Sequence, residues 1–152
     1  MRRSRADGPH GTRSRDRMIK IKRIYEPPSP DDGQRFLVER LWARGVSRQA
    51  ARLAGWMKDL GPSLTLRKWF GHDPARWAEF RRRYRAELRA PDMQDLLRQL
   101  TDAARRGPVT LVYAARDTTH NSAVVLKQVL EDRYLRRGRV RRAKRPSSRS
   151  AC

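Results

Sequence analysis

Polar side chains that could do chemistry are concentrated in one stretch of the sequence, between Thr110 and Leu130. A short apolar, β-prone run ends at Ala114, and apolar residues recur at helical spacing from Val124, which predicts a buried strand followed by a helix. Six consecutive polar residues lie at the junction: Arg116, Asp117, Thr118, Thr119, His120 and Asn121. In open α/β sheets, ligands bind outside the carboxyl ends of the strands. The junction is therefore the first candidate site.

An anion is the ligand that this junction predicts. A helix amino end offers free backbone N–H groups and a partial positive charge, and Arg116 adds a full charge beside it. His120 is the candidate catalytic acid or base, since an imidazole near a helix amino end is biased toward its neutral form. No nucleophile stands in a recognised constellation with it, and the histidines lack metal-ligand spacing. We therefore predict no metal and no cofactor.

Further candidate residues follow the other predicted strands. Guanidinium groups bind phosphate or carboxylate bidentately, and an indole offers a stacking face. The ligand-binding set predicted in this way is Arg23, Tyr25, Arg40, Trp42, Arg44, Tyr113, Arg116, Asp117 and Asn121. An alternative stays open: Trp42 belongs to the core, Asp117 or Thr118 only caps the last helix, and the arginines pair with carboxylates. A local turn role is favoured for His72.

The periodicity of the chain predicts three strands and about five helices. The strands begin near Ile19, Phe36 and Thr110. The first two form either a hairpin, which the short loop between them favours, or part of a parallel sheet. The fold class predicted is thus α/β, with a small three-stranded, mostly parallel sheet flanked by helices.

Cap residues and stop signals place the helices. Ser47 is expected to cap an amphipathic helix that runs to Leu60, and Ser63 to Phe70 forms a shorter helical piece. Asp73 and Pro74 open a helix, and Asp92 is expected to cap the one after it. The helix after Pro74 carries an aromatic stripe at helical spacing, predicted to be buried: Trp77, Phe80, Tyr84 and Leu88.

Both ends of the chain are basic and poor in apolar residues. We expect residues 1–17 and 138–152 to be disordered and residues 18–137 to fold as one domain. A net charge of +21 favours attraction to polyanions, although 31 Arg against 6 Lys is an imbalance that GC-rich coding alone produces. The lone Cys152 and the lack of a long apolar run predict a cytoplasmic protein without a membrane partner.

Three segments taken together carry a family resemblance: FLVERLWARG, LRKWFGHDPARWAEFRRRYRAEL and PVTLVYAARDTTHNSAVVL. They resemble the YeaO-like branch of a bacterial family of domains of unknown function, family 488. Glu39 stands where that family usually has Asp, and Ala43 where it usually has Pro. The resemblance implies a compact α/β domain with helices around a small sheet, and no established activity.

Three functions from different classes follow as hypotheses. The first is the binding of a small anionic or phosphorylated, nucleotide-like ligand at the carboxyl edge of the sheet. The second is a hydrolase or transferase that uses His120 as acid or base. The third is a nucleic-acid-binding regulatory module that uses the Arg-rich helix and the basic tails. Deletion of the tails distinguishes the third hypothesis, because only that function depends on them. The sequence leaves the oligomeric state open.

Overall fold

The computed structural model describes residues 19–133, which form an α/β unit with a four-stranded sheet and five α-helices. The strands are β1 (Ile19–Arg23), β2 (Gln34–Leu37), β3 (Gly55–Trp56) and β4 (Val109–Tyr113). The α-helices are α1 (Arg48–Ala51), α2 (Leu64–Phe70), α3 (Trp77–Leu88), α4 (Pro91–Arg106) and α5 (Ser122–Glu131). Short 3₁₀ turns lie at Pro30–Asp32, Lys58–Leu60 and Pro74–Arg76. The tails predicted to be disordered lie outside the described residues.

The sheet is parallel throughout, in the order β1-β4-β2-β3. The strand β4 lies between β1 and β2, so that Leu111 pairs with Ile21 on one side and with Phe36 on the other. The prediction that the first two strands form a hairpin, which the short loop between them favoured, is therefore wrong. The alternative prediction, that both belong to a parallel sheet, is confirmed. All five residues of β4 are buried, which explains its position, since the most apolar strand is covered best at the centre of the sheet.

Alternate residues of the central strands divide the core between the two faces of the sheet. On one face, Val109, Leu111 and Tyr113 belong to the large cluster formed with the helices α2 to α5. On the other face, Val112 and Leu37 pack in a smaller cluster with Ala51 of α1 and the half-buried Trp42 and Trp56. The helical layer therefore covers one face, and the segment between β2 and β3 covers the other.

The helix expected from Ser47 to Leu60 is wrong in length, and its second half contains the strand that makes the sheet four-stranded. Ser47 does cap a helix, but α1 ends after one turn, where Arg52 adopts a left-handed conformation with φ of 48°. Gly55 and Trp56 then pair with Phe36 and Leu37 as β3. The apolar residues at helical spacing here do not share one face: Leu53 and Trp56 pack with the smaller cluster, whereas Met57 and Leu60 pack with the large one.

The remaining helices agree closely with the prediction. Ser63 caps α2, and Asp73 caps the 3₁₀ turn that leads into α3. In the aromatic stripe of α3, Phe80, Tyr84 and Leu88 are buried and Trp77 is partly buried. The predicted cap Asp92 is wrong by two positions, because α4 begins at Pro91, its N-cap is Ala90, and Asp92 lies in its first turn. None of the helices between residues 19 and 133 is both long and apolar enough to cross a membrane.

Gly33 explains how β2 starts directly beside β4. Its φ is 64°, a left-handed conformation that glycine adopts without steric cost. A Cβ at this position would lie 2.1 Å from the carbonyl oxygen of Pro108, and the Gln34 amide donates to that same oxygen at 3.1 Å. The close approach of the two backbones sets the register of the central strand pair, and with it the edge where both strands end.

Candidate functional site

A pocket of about 490 Å³ opens at the carboxyl ends of β2 and β4. Its walls come from the segment after β2, from α2 and the loop behind it, and from the segment between β4 and α5. Pockets of roughly 300 to 1,000 Å³ are typical of small-molecule sites. The location agrees with the rule that ligands bind outside the carboxyl ends of parallel strands.

Four of the residues predicted from the sequence line this pocket: Trp42, Arg44, His120 and Asn121. Trp42 is half-buried, and its indole N–H donates to the Val46 carbonyl at 2.8 Å, so the ring is held in place by its own loop. The Arg44 side chain is exposed at the rim. The strand ends thus bring the groups after β2 and β4 together.

Three of the predicted residues lie outside the pocket lining and stabilise the backbone that forms its walls: Arg23, Tyr25 and Arg40. The Arg23 guanidinium donates to the Ala115 carbonyl at 2.8 Å and lies over the Tyr25 ring. The Tyr25 hydroxyl donates to the backbone carbonyl of Arg44 at 3.0 Å. Arg40 donates to the Gly61 carbonyl at 2.9 Å. The side chains of these residues donate to backbone carbonyls of the segments that form the pocket. They therefore stabilise the pocket walls and do not line the pocket.

Tyr113 and Arg116 are also absent from the pocket lining. Tyr113 is the last residue of β4 and its side chain is buried in the main core, because it shares the face of Leu111. Burial raises the pKa of its hydroxyl. Arg116 is exposed on the loop after β4 and lies outside the pocket wall. The sequence placed Arg116 correctly at the junction but could not show which way the loop turns.

Asp117 organises the loop that carries His120. One carboxylate oxygen, Oδ1, accepts from the backbone N–H groups of Thr119 and His120, each at 2.9 Å, and Oδ2 pairs with His120 Nδ1 at 2.9 Å. These three donors, the Thr119 N–H first, hold the pKa of Asp117 well below its usual range. A carboxylate accepts the Nδ1 proton, so that the neutral imidazole keeps Nε2 as an acceptor.

The cap of α5 is Asn121 and not Asp117 or Thr118, which corrects the alternative considered for the loop. The Asn121 side-chain oxygen accepts from the Val124 N–H at 3.1 Å, and its amide donates to the Asp117 carbonyl at 2.9 Å. Asn121 is 3% exposed. It therefore joins the loop to the helix while it forms part of the pocket wall.

Replacing Asn121 with alanine is expected to lower the free energy of unfolding by about 1 to 2 kcal/mol, because the Val124 N–H loses its cap. Urea unfolding followed by circular dichroism measures the change. The control is Asn121→Asp, which keeps the capping oxygen and should retain most of the stability. Equal losses in both variants would mean that the amide donor to Asp117 matters more than the cap.

Four ionisable side chains of the lining were not in the predicted set: Glu39, Arg67, Lys68 and His72. Arg67 and Lys68 lie on α2, a helix that the sequence predicted without showing which of its faces meets the sheet edge. His72 was interpreted as a turn residue, and it does follow Gly71 at the end of α2. The backbone of His72 has a φ of 58°, a left-handed conformation that is costly for a residue with a Cβ. Strained residues of this kind cluster at functional sites, and the sequence does not show this strain.

Glu39 is the acidic group of the pocket. It is 9% exposed, and its Oε2 accepts from the Ala114 N–H at 3.1 Å. Burial raises the pKa of this carboxyl, which the Ala114 hydrogen bond and the positive charges of Arg67 and His72 counteract in part. A carboxylate immediately after a buried strand was the sequence signal for Glu39. No group of three or more His, Cys, Asp or Glu side chains suitable for a metal is present between residues 19 and 133.

Comparisons with known proteins identify the family. Residues 18–152 match a family model described as the inactive DUF488-N3 subclade. The chain is 41% identical over 119 residues to an uncharacterised protein of Mycobacterium tuberculosis, an alignment that covers 78% of this chain and 98% of that protein. It is 42% identical over 108 residues to the uncharacterised protein YeaO of Escherichia coli, covering 71% and 92% of the two chains. No solved structure matches. The family resemblance seen in the motifs is thereby confirmed, and the chain belongs to the YeaO-like DUF488 family.

Proposed function

We propose that the pocket at the carboxyl edge of the sheet binds a small anionic or phosphorylated ligand. The observation that carries this proposal is the Arg67 guanidinium. Arg67 lines the pocket and is partly buried, and its guanidinium has no hydrogen bond and no ion pair within 4.0 Å among residues 19–133. The Glu39 carboxyl acts on this guanidinium only from a greater distance. A partly buried guanidinium whose N–H groups are free of such contacts is suited to an oxyanion, which it binds through two parallel hydrogen bonds.

Further positive charge surrounds Arg67. Lys68 and Arg44 line the same pocket from α2 and from the segment after β2, and neither is paired with a carboxylate among the described residues. Many arginines elsewhere on the described surface are paired: Arg82 and Arg83, for example, contact Glu79. Unpaired cations around a concave surface raise the local concentration of anions, and this effect weakens with salt.

The start of α5 supplies neutral donors to the same wall. The Val124 N–H is used by Asn121, whereas the N–H groups of Ser122 and Ala123 have no hydrogen bond within the described part of the chain. Ser122 lines the pocket. Free amides at a helix amino end favour an anion, in addition to the charge of the side chains.

Apolar side chains at the mouth of the pocket indicate what the ligand carries beside its anionic group. Leu41 and Leu64 line the pocket although they are 51% and 55% exposed. Among the described residues, they are two of three large apolar side chains with such exposure. The ligand proposed here therefore has an apolar or flat part next to its anionic group, as a nucleotide has.

The test is thermal unfolding with inorganic phosphate and with AMP as probes. We expect both to raise the melting temperature and Arg67→Ala to remove most of the shift, because a charge-assisted pair contributes about 1.5 to 3 kcal/mol. Arg98→Ala is the matched control: it removes the same charge from an exposed residue that, in the described part of the chain, forms an ion pair with Asp95 alone, and the shift should remain. An unchanged response of Arg67→Ala would contradict the proposal.

The Asp117 and His120 pair favours a second candidate, proton transfer on a phosphorylated substrate. The pair leaves His120 Nε2 as an acceptor, and His120 lines the pocket. The matching family model is described as an inactive subclade, which argues against turnover. The variant His120→Ala separates the two: a binding protein keeps an appreciable part of its AMP-induced shift and shows no turnover of para-nitrophenyl phosphate, whereas an enzyme shows turnover that falls by about 100-fold in the variant.

A further inference from the structure

One oxygen of the Glu39 carboxyl remains available in the pocket. The other, Oε2, accepts from the Ala114 N–H at 3.1 Å. Within residues 19–133, Oε1 has no hydrogen bond, no cation lies within 4.0 Å of the carboxyl, and Oε1 is not among the fully buried atoms without a partner. Since Glu39 lines the pocket, this oxygen is reached from the pocket space.

The backbone that carries Glu39 is held from two sides. The Trp56 indole N–H donates to the Glu39 carbonyl at 2.7 Å. On the other side, Gly61 packs so closely that a Cβ there would lie 2.6 Å from the Arg40 N and 3.0 Å from the Glu39 carbonyl carbon. The backbone at Glu39 is thus held on two sides, and the Ala114 hydrogen bond holds the carboxyl itself, an arrangement that favours selectivity at low entropic cost.

A carboxylate oxygen in such a place distinguishes ligands by what they donate. A ligand with a hydroxyl or amino group replaces the water lost from Oε1, whereas a ligand with an ether or a methyl group leaves a buried acceptor unpaired. Rejection through an unpaired polar group is far stronger than rejection through apolar contacts. Glu39 also repels an anionic group, so the phosphate is directed toward Arg67 and Lys68.

We infer that Glu39 makes the pocket selective for phosphorylated ligands that also carry a hydrogen-bond donor, such as hydroxylated or amino-substituted organic phosphates. The inference rests on the proposed anion-binding function and adds the second recognition group. Within this class the phosphate meets Arg67, the donor meets Glu39, and the apolar part lies against Leu41 and Leu64. Alkyl phosphates without a donor are outside the class.

The experiment compares pairs of probes in which a methyl group replaces the proton of the donor, and the Glu39→Gln protein controls for the added size of that methyl group. Hydroxypropyl, hydroxybutyl and hydroxypentyl phosphate are titrated into the full chain beside their methoxy ethers, in mildly alkaline buffer, by calorimetry. The series of lengths samples the distance from the phosphate to Glu39. For at least one length, the hydroxyl compound should bind about tenfold or more tightly than its ether. In Glu39→Gln, the amide oxygen still accepts from Ala114 and the difference between the two probes should disappear.

The outcomes separate this inference from the function on which it rests. If inorganic phosphate and the probes bind the parent protein but each hydroxyl compound and its ether bind equally at every length, the selectivity inference is wrong and the anion site stands. If neither phosphate nor any probe binds, both are wrong. The comparison of each hydroxyl compound with its ether in the parent protein tests the inference even when Glu39→Gln fails to fold. If a folded Glu39→Gln protein still binds the hydroxyl compound more tightly than the ether, the inference is also wrong.

Discussion

Replacing Phe80 with alanine is expected to lower the free energy of unfolding by about 3 to 5 kcal/mol, a large part of the roughly 5 to 15 kcal/mol by which native proteins are stable. Phe80 is 2% exposed and stacks on Phe70 with ring centroids 4.3 Å apart. Trp77 and Tyr84 flank it on α3, with centroids 5.7 Å away in each case. Removing the ring leaves a cavity between α2 and α3 that rigid neighbours cannot fill. Urea unfolding of the variant measures the loss.

The control for Phe80 is leucine, which keeps an apolar side chain of nearly the same reach. Phe80→Leu should cost clearly less than Phe80→Ala, because most of the buried volume remains. Phe80 also lines the pocket, so a folded alanine variant is expected to respond more weakly to phosphate. If Phe80→Ala unfolds at the urea concentration of the parent, the stripe is not a core element and the packing described for α3 is incorrect.

Replacing Asp32 with alanine should have a similarly large effect, about 3 to 5 kcal/mol, since it leaves a buried cation without its partner. Asp32 and Arg35 are 1% and 3% exposed, and Arg35 Nη1 donates to Asp32 Oδ2 at 2.8 Å. Lys22 donates to the same carboxylate at 3.0 Å, and so does the Ser29 N–H. The matched control is Asp31→Ala, because Asp31 is exposed and should cost less than about 0.5 kcal/mol.

The same cluster predicts a dependence of stability on pH. Burial alone would raise the pKa of Asp32, but hydrogen bonds from Lys22, Ser29 and Arg35 outweigh burial and lower the pKa from 3.8 to about 2. Because the folded state holds this proton less tightly than the unfolded state, the contribution is complete above about pH 4. It is lost as the pH falls toward about 2. Asp32→Ala should show a flatter profile over that range in thermal melts, and an identical slope in both proteins would exclude Asp32 as the source.

The local elements could be read from the sequence because their signals are local. Ser47, Ser63 and Asp73 each cap the element that follows them, as their side chains allow. The spacing of the aromatic stripe identified the buried face of α3, and the apolar run from Thr110 identified the central strand. Each of these features depends on residues within about one or two turns of one another, where spacing alone indicates the structure.

The α/β class and a mostly parallel sheet could likewise be predicted from the sequence, although the relation of the first two strands was left open and a hairpin was favoured for them. The order of the strands could not be predicted in this way. The pairing between β1 and β4 joins residues 90 positions apart, and such long-range pairing produces no periodic pattern in the sequence. The strand β3 was missed for a related reason. Its two residues are strand only because Phe36 and Leu37 lie beside them, and in isolation their spacing resembles that of a helix.

The sequence by itself determined that Trp42 and Arg44 follow one apolar run and that His120 and Asn121 follow another. That the four residues meet in one pocket was only an expectation until the structure placed them there. Only the tertiary structure decided which of the neighbouring polar residues face the pocket. Arg23 and Arg40 donate to backbone carbonyls, whereas the Arg67 guanidinium from α2 enters the site with no hydrogen bond or ion pair within 4.0 Å among residues 19–133. The physical reason is that a guanidinium reaches about 6 to 7 Å from its Cα, so its partner depends on the loops that pack around it and not on its place in the chain.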